Sequence, residues 1–278
     1  MRHTLLAILV FFTALPAFAS DKQANGVYDR VVKTRTLRCA YTIYPPFIAK
    51  DTATGEISGL FHDLLEQMGK ELGIKIVWAE EIGSDAIFSG LGTGRYDAVC
   101  AGYFSTPSRA NGGNFTKPLV FVPTYLYVRK GEKRFHNLDD FNKPGVKIGT
   151  MDGEFSQIFK NDRLPLAGEV SLGGLSSAAE RLEVVATGKA DATLIEAAIG
   201  NEYMAHNPGK LEPWGIAPVH IGGSVVILPH GEYDLVAYLN AAIDSLLYAG
   251  TLENIVQKYQ KSRGSFLLPM QPYQTEGK

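Results

Sequence analysis

Arg109 has the setting of a binding group. It closes the segment Ser105-Thr106-Pro107-Ser108-Arg109, which follows a short apolar stretch that reads as a strand. Thr106 can cap a helix, and Pro107 suits a first helical position, where its missing N–H leaves nothing unsatisfied. Arg109 then sits beside backbone N–H groups at the carboxyl end of a strand, where α/β sheets collect ligands. A planar guanidinium there can hold a carboxylate through two parallel hydrogen bonds. The alternative is a solvated surface arginine, the ordinary state of that residue type.

Signatures of covalent chemistry are scarce. The sequence has no G-x-S-x-G, no P-loop and no H-E-x-x-H. Gly90-Leu91-Gly92-Thr93-Gly94 is glycine-rich but ends a helical pattern instead of opening one, and an anion cradle needs a helix N-terminus. The six histidines are scattered without metal-ligand spacing. No metal or other cofactor is expected.

Elements that would position these groups emerge from hydrophobic periodicity. Leu60, Leu64, Met68 and Leu72 recur at spacing four, widened by Phe61 and Leu65, and Gly73 follows as a helix stop. Strands are expected at 37–41, 74–78 and 97–101, with a helix over 85–91. Strand alternating with helix predicts an α/β layer with a mainly parallel sheet. After an extended stretch at 120–129 the rhythm resumes, with strands at 147–150 and 192–195 and Ser176 or Ser177 capping a helix together with Glu180. A second extended stretch, 222–228, precedes helices at 235–248 and 252–259. The chain beyond Ser262 reads as a loose tail.

The junction Gly94-Arg95-Tyr96-Asp97 has a counterpart in Gly188-Lys189-Ala190-Asp191, a weak internal repeat. Two similar units joined by two extended crossings would form a hinged cleft, a natural ligand site. The expected division is 20–125 and 223–265 for one lobe, 126–222 for the other, and 266–278 for the tail.

The beginning of the sequence carries a short basic start, an apolar run from Leu5 to Phe12 and a small-residue site at Ala17-Phe18-Ala19. That is the pattern of a secretory signal peptide over 1–19, cleaved after Ala19. The apolar run is shorter than the roughly 20 residues a membrane span requires. No cysteine follows the cleavage site, which argues against a lipid anchor. The expected location is the periplasm. Cys39 and Cys100 lie in apolar, strand-like segments. An even count in an oxidising compartment allows a disulfide, and two buried free thiols fit equally well. A net charge of −2 with no basic run gives no reason to expect nucleic acid. A monomer is expected.

Taken in order, several segments resemble the amino-acid-type solute-binding proteins of ABC importers, family 3. Leu37–Phe47 looks like that family's opening strand and aromatic-proline turn. Leu91-x-x-Gly94-x-Tyr96-Asp97 matches its helix–strand junction, and Thr106-x-x-Arg109 followed by Asn114-Phe115-Thr116-Lys117-Pro118 matches its best-marked motif. Gly250-Thr251-Leu252 through Lys258-Tyr259 matches its C-terminal pattern. The resemblance covers Tyr28 to Tyr259. It implies a type II periplasmic-binding-protein fold, α/β, with two lobes and two hinge-crossing segments. The implied function is capture of an amino acid or related small amine and delivery to an inner-membrane ABC permease, without catalysis.

The resemblance also implies site residues. Arg109 would take a carboxylate, Glu196 an α-amino group, and Tyr44 would form an aromatic wall. The sequence departs from the family at Phe104, where a hydroxyl residue is usual, at Gly153-Glu154-Phe155, where Gly-Thr-Thr is common, and at Tyr41, where the family has an acid. Tyr41, Tyr44, Tyr103 and Phe104 with Glu154 and Glu196 could instead cage a cationic amine. Two further functions fit the same scaffold. One is a cyclohexadienyl or arogenate dehydratase using Glu196 or Glu154 as general acid. The other is an accessory partner of a periplasmic dehydrogenase with a degenerate cleft.

Overall fold

The computed structural model describes residues 26–270; the signal-peptide segment lies outside them. The two extended stretches of the sequence divide the chain between two sheets. The first sheet holds five strands in the order Lys75–Glu81, Thr36–Tyr41, Ala98–Val99, Ile227–Pro229 and Gly113–Phe115. Its first three strands are parallel; Ile227–Pro229 runs antiparallel to them, and Gly113–Phe115 runs antiparallel to Ile227–Pro229. The second sheet is built on Lys147–Met151, Gly168–Leu172 and Ala192–Glu196, which are parallel, and on the long strand Val120–Arg129, which is antiparallel to Ala192–Glu196. Each sheet is thus mixed: the parallel part is made by strand–helix–strand units, the antiparallel part by the crossings.

The crossings are Val120–Arg129 and His220–Ser224. They pair antiparallel, Val120 opposite Ser224 and Thr124 opposite His220. The chain then enters the first sheet again at Ile227–Pro229. A third connection was not expected from the sequence. Phe266 is buried against Phe47, and Leu267 exchanges two backbone hydrogen bonds of 2.8 Å with Phe121. The segment just past Ser262, read as loose, is therefore tied to the base of a crossing strand. Its aromatic ring supplies the burial that its Gly and Ser neighbours cannot.

The helix expected from the Leu60 periodicity runs Leu60–Leu72, with Leu60, Phe61, Leu64, Leu65 and Met68 all buried. Gly73 ends it at φ 61°, its N–H reaching the carbonyls of Gly69 and Lys70. It packs on the helices Tyr233–Tyr248 and Thr251–Tyr259 of the returning chain. The expected helix over 85–91 is a single 3-10 turn, Ser84–Ala86, and a short helix, Ser89–Thr93.

The internal repeat has a geometric meaning. Asp97 accepts the backbone N–H of Arg38 at 2.7 Å and donates its own N–H to the Arg38 carbonyl at 2.8 Å. Asp191 does the same with Lys147, at 2.9 and 2.7 Å. In both lobes the aspartate locks the entry of one strand to the next, a structural role.

Cys39 and Cys100 form a disulfide, with Cα atoms 5.6 Å apart. Cys39 is opposite Ala98 in the parallel pair, so Cys100 lies diagonally on the same face. It sits one residue past the end of its strand, its N–H still donating to the Ala40 carbonyl at 2.8 Å.

Candidate functional site

The carboxyl ends of strands from both sheets converge on one cavity. From the first lobe come Thr42, Tyr44, Phe47, Ala101, Gly102, Tyr103, Phe104 and Arg109; from the second come Met151, Glu154, Phe155 and Glu196. The volume within these walls open to the centre of a water molecule is ≈ 40 Å³. A larger hollow of ≈ 310 Å³ lies between Pro46, Tyr259 and Ser262 on one side and the helix Ala197–His206 on the other. Glu202 and Lys261 are paired to each other there, and no buried charges converge on it, so the smaller cavity is the candidate site.

Arg109 lies in the short helix Pro107–Ala110, capped by Thr106, whose hydroxyl accepts the Arg109 N–H. It is 4% exposed, so the solvated alternative does not hold. One guanidinium nitrogen donates to the Phe104 carbonyl at 3.0 Å. The other crosses the cleft to the Gly153 carbonyl at 2.8 Å. Its Nε is buried without a partner among the described residues. The guanidinium stands over the Tyr103 ring, 4.9 Å from its centroid. Burial draws the Arg109 pKa down, opposed by the negative charge of Glu154. Tyr103 bonds the Thr42 hydroxyl at 2.7 Å, and burial pushes its own pKa up to about 12.

Across the cleft, Glu154 is the N-cap of the helix Phe155–Arg163 and accepts the Ser156 N–H at 2.8 Å. A carboxylate at that end meets the positive pole of the helix. Its principal partner is Arg181, which also donates to the Ser156 hydroxyl at 2.8 Å. Arg181 is fully buried in the helix Ala178–Ala186. Burial alone would raise the Glu154 pKa; Arg181, then Ser156, hold it below the usual carboxylate range.

Glu196 ends the strand Ala192–Glu196 and faces the first lobe, where the Tyr44 hydroxyl donates to its Oε2 at 2.9 Å. Burial, and then the neighbouring Glu154 charge, push its carboxyl up to about 7, with Arg181 opposing. A relay of four side chains therefore spans the cleft: Glu154, Arg181, Tyr44, Glu196.

Of the six residues singled out in the sequence, five line the cavity: Arg109, Glu196, Tyr44, Phe104 and Glu154. Tyr41 does not. It is buried in the first sheet, its ring edge-on to Trp78 of the adjoining strand, and so adds nothing to an aromatic cage. Phe104 meets Phe155 across the cleft with ring centroids 5.1 Å apart, and His220 covers both at 5.9 and 4.4 Å. The residue that sequence reasoning missed is Arg181. It lies next to Glu180, whose capping box with Ser177 was read correctly, but its partners are 27 and 137 positions away.

Residues 37–262 match the bacterial extracellular solute-binding proteins, family 3. The probable histidine-binding protein of Campylobacter jejuni is 25% identical over 266 residues, covering 94% of this chain and 99% of that protein. The L-arginine-binding protein of Pseudomonas aeruginosa is 23% identical over 259 residues, covering 91% and 93%. Among solved structures, the ancestral amino acid-binding protein AncCDT-1, described as a precursor of cyclohexadienyl dehydratase, superposes with a TM-score of 0.72 at 26% identity, covering 84% of this chain and 99% of its own. An ancestral arginine-binding protein bound to arginine superposes with a TM-score of 0.70 at 25% identity, covering 81% and 97%. The matched region spans both sheets, both crossings and every residue lining the cavity, and by that measure the chain belongs to family 3 of the bacterial extracellular solute-binding proteins, with their two-lobed type II fold.

Proposed function

We propose that the protein captures an amino acid or a related small amine in the cavity between its lobes and delivers it to an ABC permease from the periplasm. The observation that carries this is the placement of two buried, oppositely charged groups, Arg109 and Glu196, on facing lobes of one cavity. Arg109 would take the solute's carboxylate and Glu196 its ammonium group. Each contact would be complete only in the closed form, so the solute favours closure. Closure in turn excludes water and strengthens both. The lobes in this reading are 20–125 with 223–265, and 126–222; the leader ends at Ala19.

The test is thermal unfolding of protein stripped of bound solute by unfolding and refolding, titrated with amino acids, amines, small dicarboxylates and prephenate. A ligand at about 100 times its Kd adds roughly 2.7 kcal/mol, a shift of several degrees for a chain of this size. A cooperative melt that no solute moves would remove the capture function.

Dehydration of a ring-bearing carboxylate is the second function worth testing. Glu196, with its carboxyl pushed to about 7, has the protonation range of a general acid. Turnover of prephenate or arogenate that Glu196→Gln abolishes would establish it; no turnover removes it.

A further inference from the structure

The charges around the cavity cancel before any solute arrives. Arg109 and Glu154 oppose each other on the walls, and Arg181 stands behind Glu154, paired to it. The remaining charge is Glu196. His220, beside the aromatic wall, is half-buried against Phe104 and Phe155, and burial, then the Arg163 charge, draw its pKa below that of a free imidazole. With Glu196 ionised the set is two positive and two negative.

A buried site tolerates a ligand whose own charges leave that balance intact, because an unmatched charge out of water is costly. Glu154 is the acid that would have to hold a second positive group, and its charge is already matched by Arg181, which with the Ser156 N–H occupies its Oε2. Tyr41 is packed against Trp78 away from the cavity. What remains for a side chain is Phe47, Phe104, Phe155, Met151 and Ala101. Those walls are apolar, and the space is small.

Resting on the capture function above, we infer that the solute is a zwitterion of zero net charge with a small uncharged side chain, and that Arg181, by neutralising Glu154, is the residue that turns the cleft away from cationic amino acids. This separates the chain from the relatives whose names carry arginine or histidine.

Calorimetric titration of the refolded full chain at about pH 8, where carboxylates are ionised, decides it. The panel is glycine, L-alanine, L-serine, L-valine, L-leucine, L-arginine and L-lysine. At least one neutral amino acid is expected to bind about 100-fold or more tighter than L-arginine and L-lysine, the scale of an uncompensated like charge. Equal or tighter binding of either cationic amino acid overturns the inference while leaving capture standing. Binding of none of the panel overturns the inference; capture falls with it only where the wider set of amino acids, amines and dicarboxylates also leaves the melt unmoved. Arg181→Met, checked for a cooperative melt, should move the lysine-to-neutral affinity ratio by about tenfold or more toward lysine. An unchanged ratio overturns the role given to Arg181. Should that variant not fold, Glu154→Gln tests the same balance in reverse: selectivity against L-arginine must widen, and a narrower or unchanged margin overturns the inference.

Discussion

The hydroxyl of Tyr44, on the first lobe, accepts a 2.6 Å hydrogen bond from Nη2 of Arg181, on the second, and passes its own proton toward Glu196. One phenol thus satisfies a buried cation and a buried acid at once. Burial raises its pKa well above that of a free tyrosine, and the two Glu charges add to this against the pull of Arg181. The hydroxyl remains the donor that Glu196 requires.

Tyr44→Phe keeps the ring and deletes that link. Hydrogen bonds to charged groups contribute about 1.5–3 kcal/mol each, so the closed form should lose most of its advantage. Small-angle scattering of the solute-free variant is expected to give a larger radius of gyration than the parent. Superimposable profiles would show that other contacts hold the lobes together, such as Ser84, whose N–H and hydroxyl donate to the Gly174 carbonyl at 3.0 and 3.2 Å.

Arg109→Ala should weaken a carboxylate-bearing solute by about 2–5 kcal/mol, the range for truncating one member of a buried charged pair. Arg109→Lys should recover little, since an ammonium cannot reproduce the planar fork. Affinities measured by calorimetry check both. A lysine variant that binds as the parent does would mean that charge alone matters at this position.

Glu196 makes both stability and binding depend on pH. Its carboxyl titrates at about 7 in the fold against 4.5 for the free group, so between those values the folded state holds more protons than the unfolded one. Stability without solute should therefore fall as pH rises through that window, by up to about 1.4 kcal/mol per pH unit. An amine-bearing solute needs the ionised form, so its affinity should rise over the same window and level off above it. In Glu196→Gln both slopes should flatten, with amine-bearing solutes weakened more than their carboxylate analogues. Melting curves and titrations across pH 5 to 8 read out both effects.

The disulfide closes a loop over 61 residues. In the chain-entropy description such a bridge contributes about 4 kcal/mol by restricting the unfolded state. Replacing Cys39 and Cys100 by alanine should lower the melting temperature by something on the order of 10 °C and leave solute affinity unchanged, because both sulfurs are buried outside the cavity.

The parts of this architecture written in local spacing were legible from the sequence. The helix Leu60–Leu72, the strand Val120–Arg129 and the Ser177–Glu180 cap each follow from residues a few positions apart, and each falls where periodicity places it. Glu196 is a different case: spacing alone gives it no role, and it came into view through the family resemblance. The disulfide could not be decided, because parallel neighbours allow or forbid it according to a diagonal register that sequence does not specify. The segment just past Ser262 was read as loose for a related reason. Phe266 is one aromatic among Gly, Ser and Leu, and the groups that anchor this segment, Phe47 against Phe266 and Phe121 against Leu267, are far away in the chain.

Arg181 shows the limit most clearly. A helix arginine beside a capping glutamate has every local mark of a solvated face, yet it is fully buried. Its burial is set by Glu154 from a different strand–helix junction and by Tyr44 from the other lobe. Removing it from water is supportable only because both partners arrive in the closed fold.

The pairing of Leu267 with Phe121 gives the molecule a fixed point for optical measurement. A pivot keeps its distance from both lobes, so the first dye belongs away from it, at exposed Tyr248 on the first lobe. A second dye at exposed Leu175, next to the Ser84–Gly174 contact, would ride on the lip that travels farthest. Such a pair would convert opening and shutting into a distance signal without either label touching the cavity.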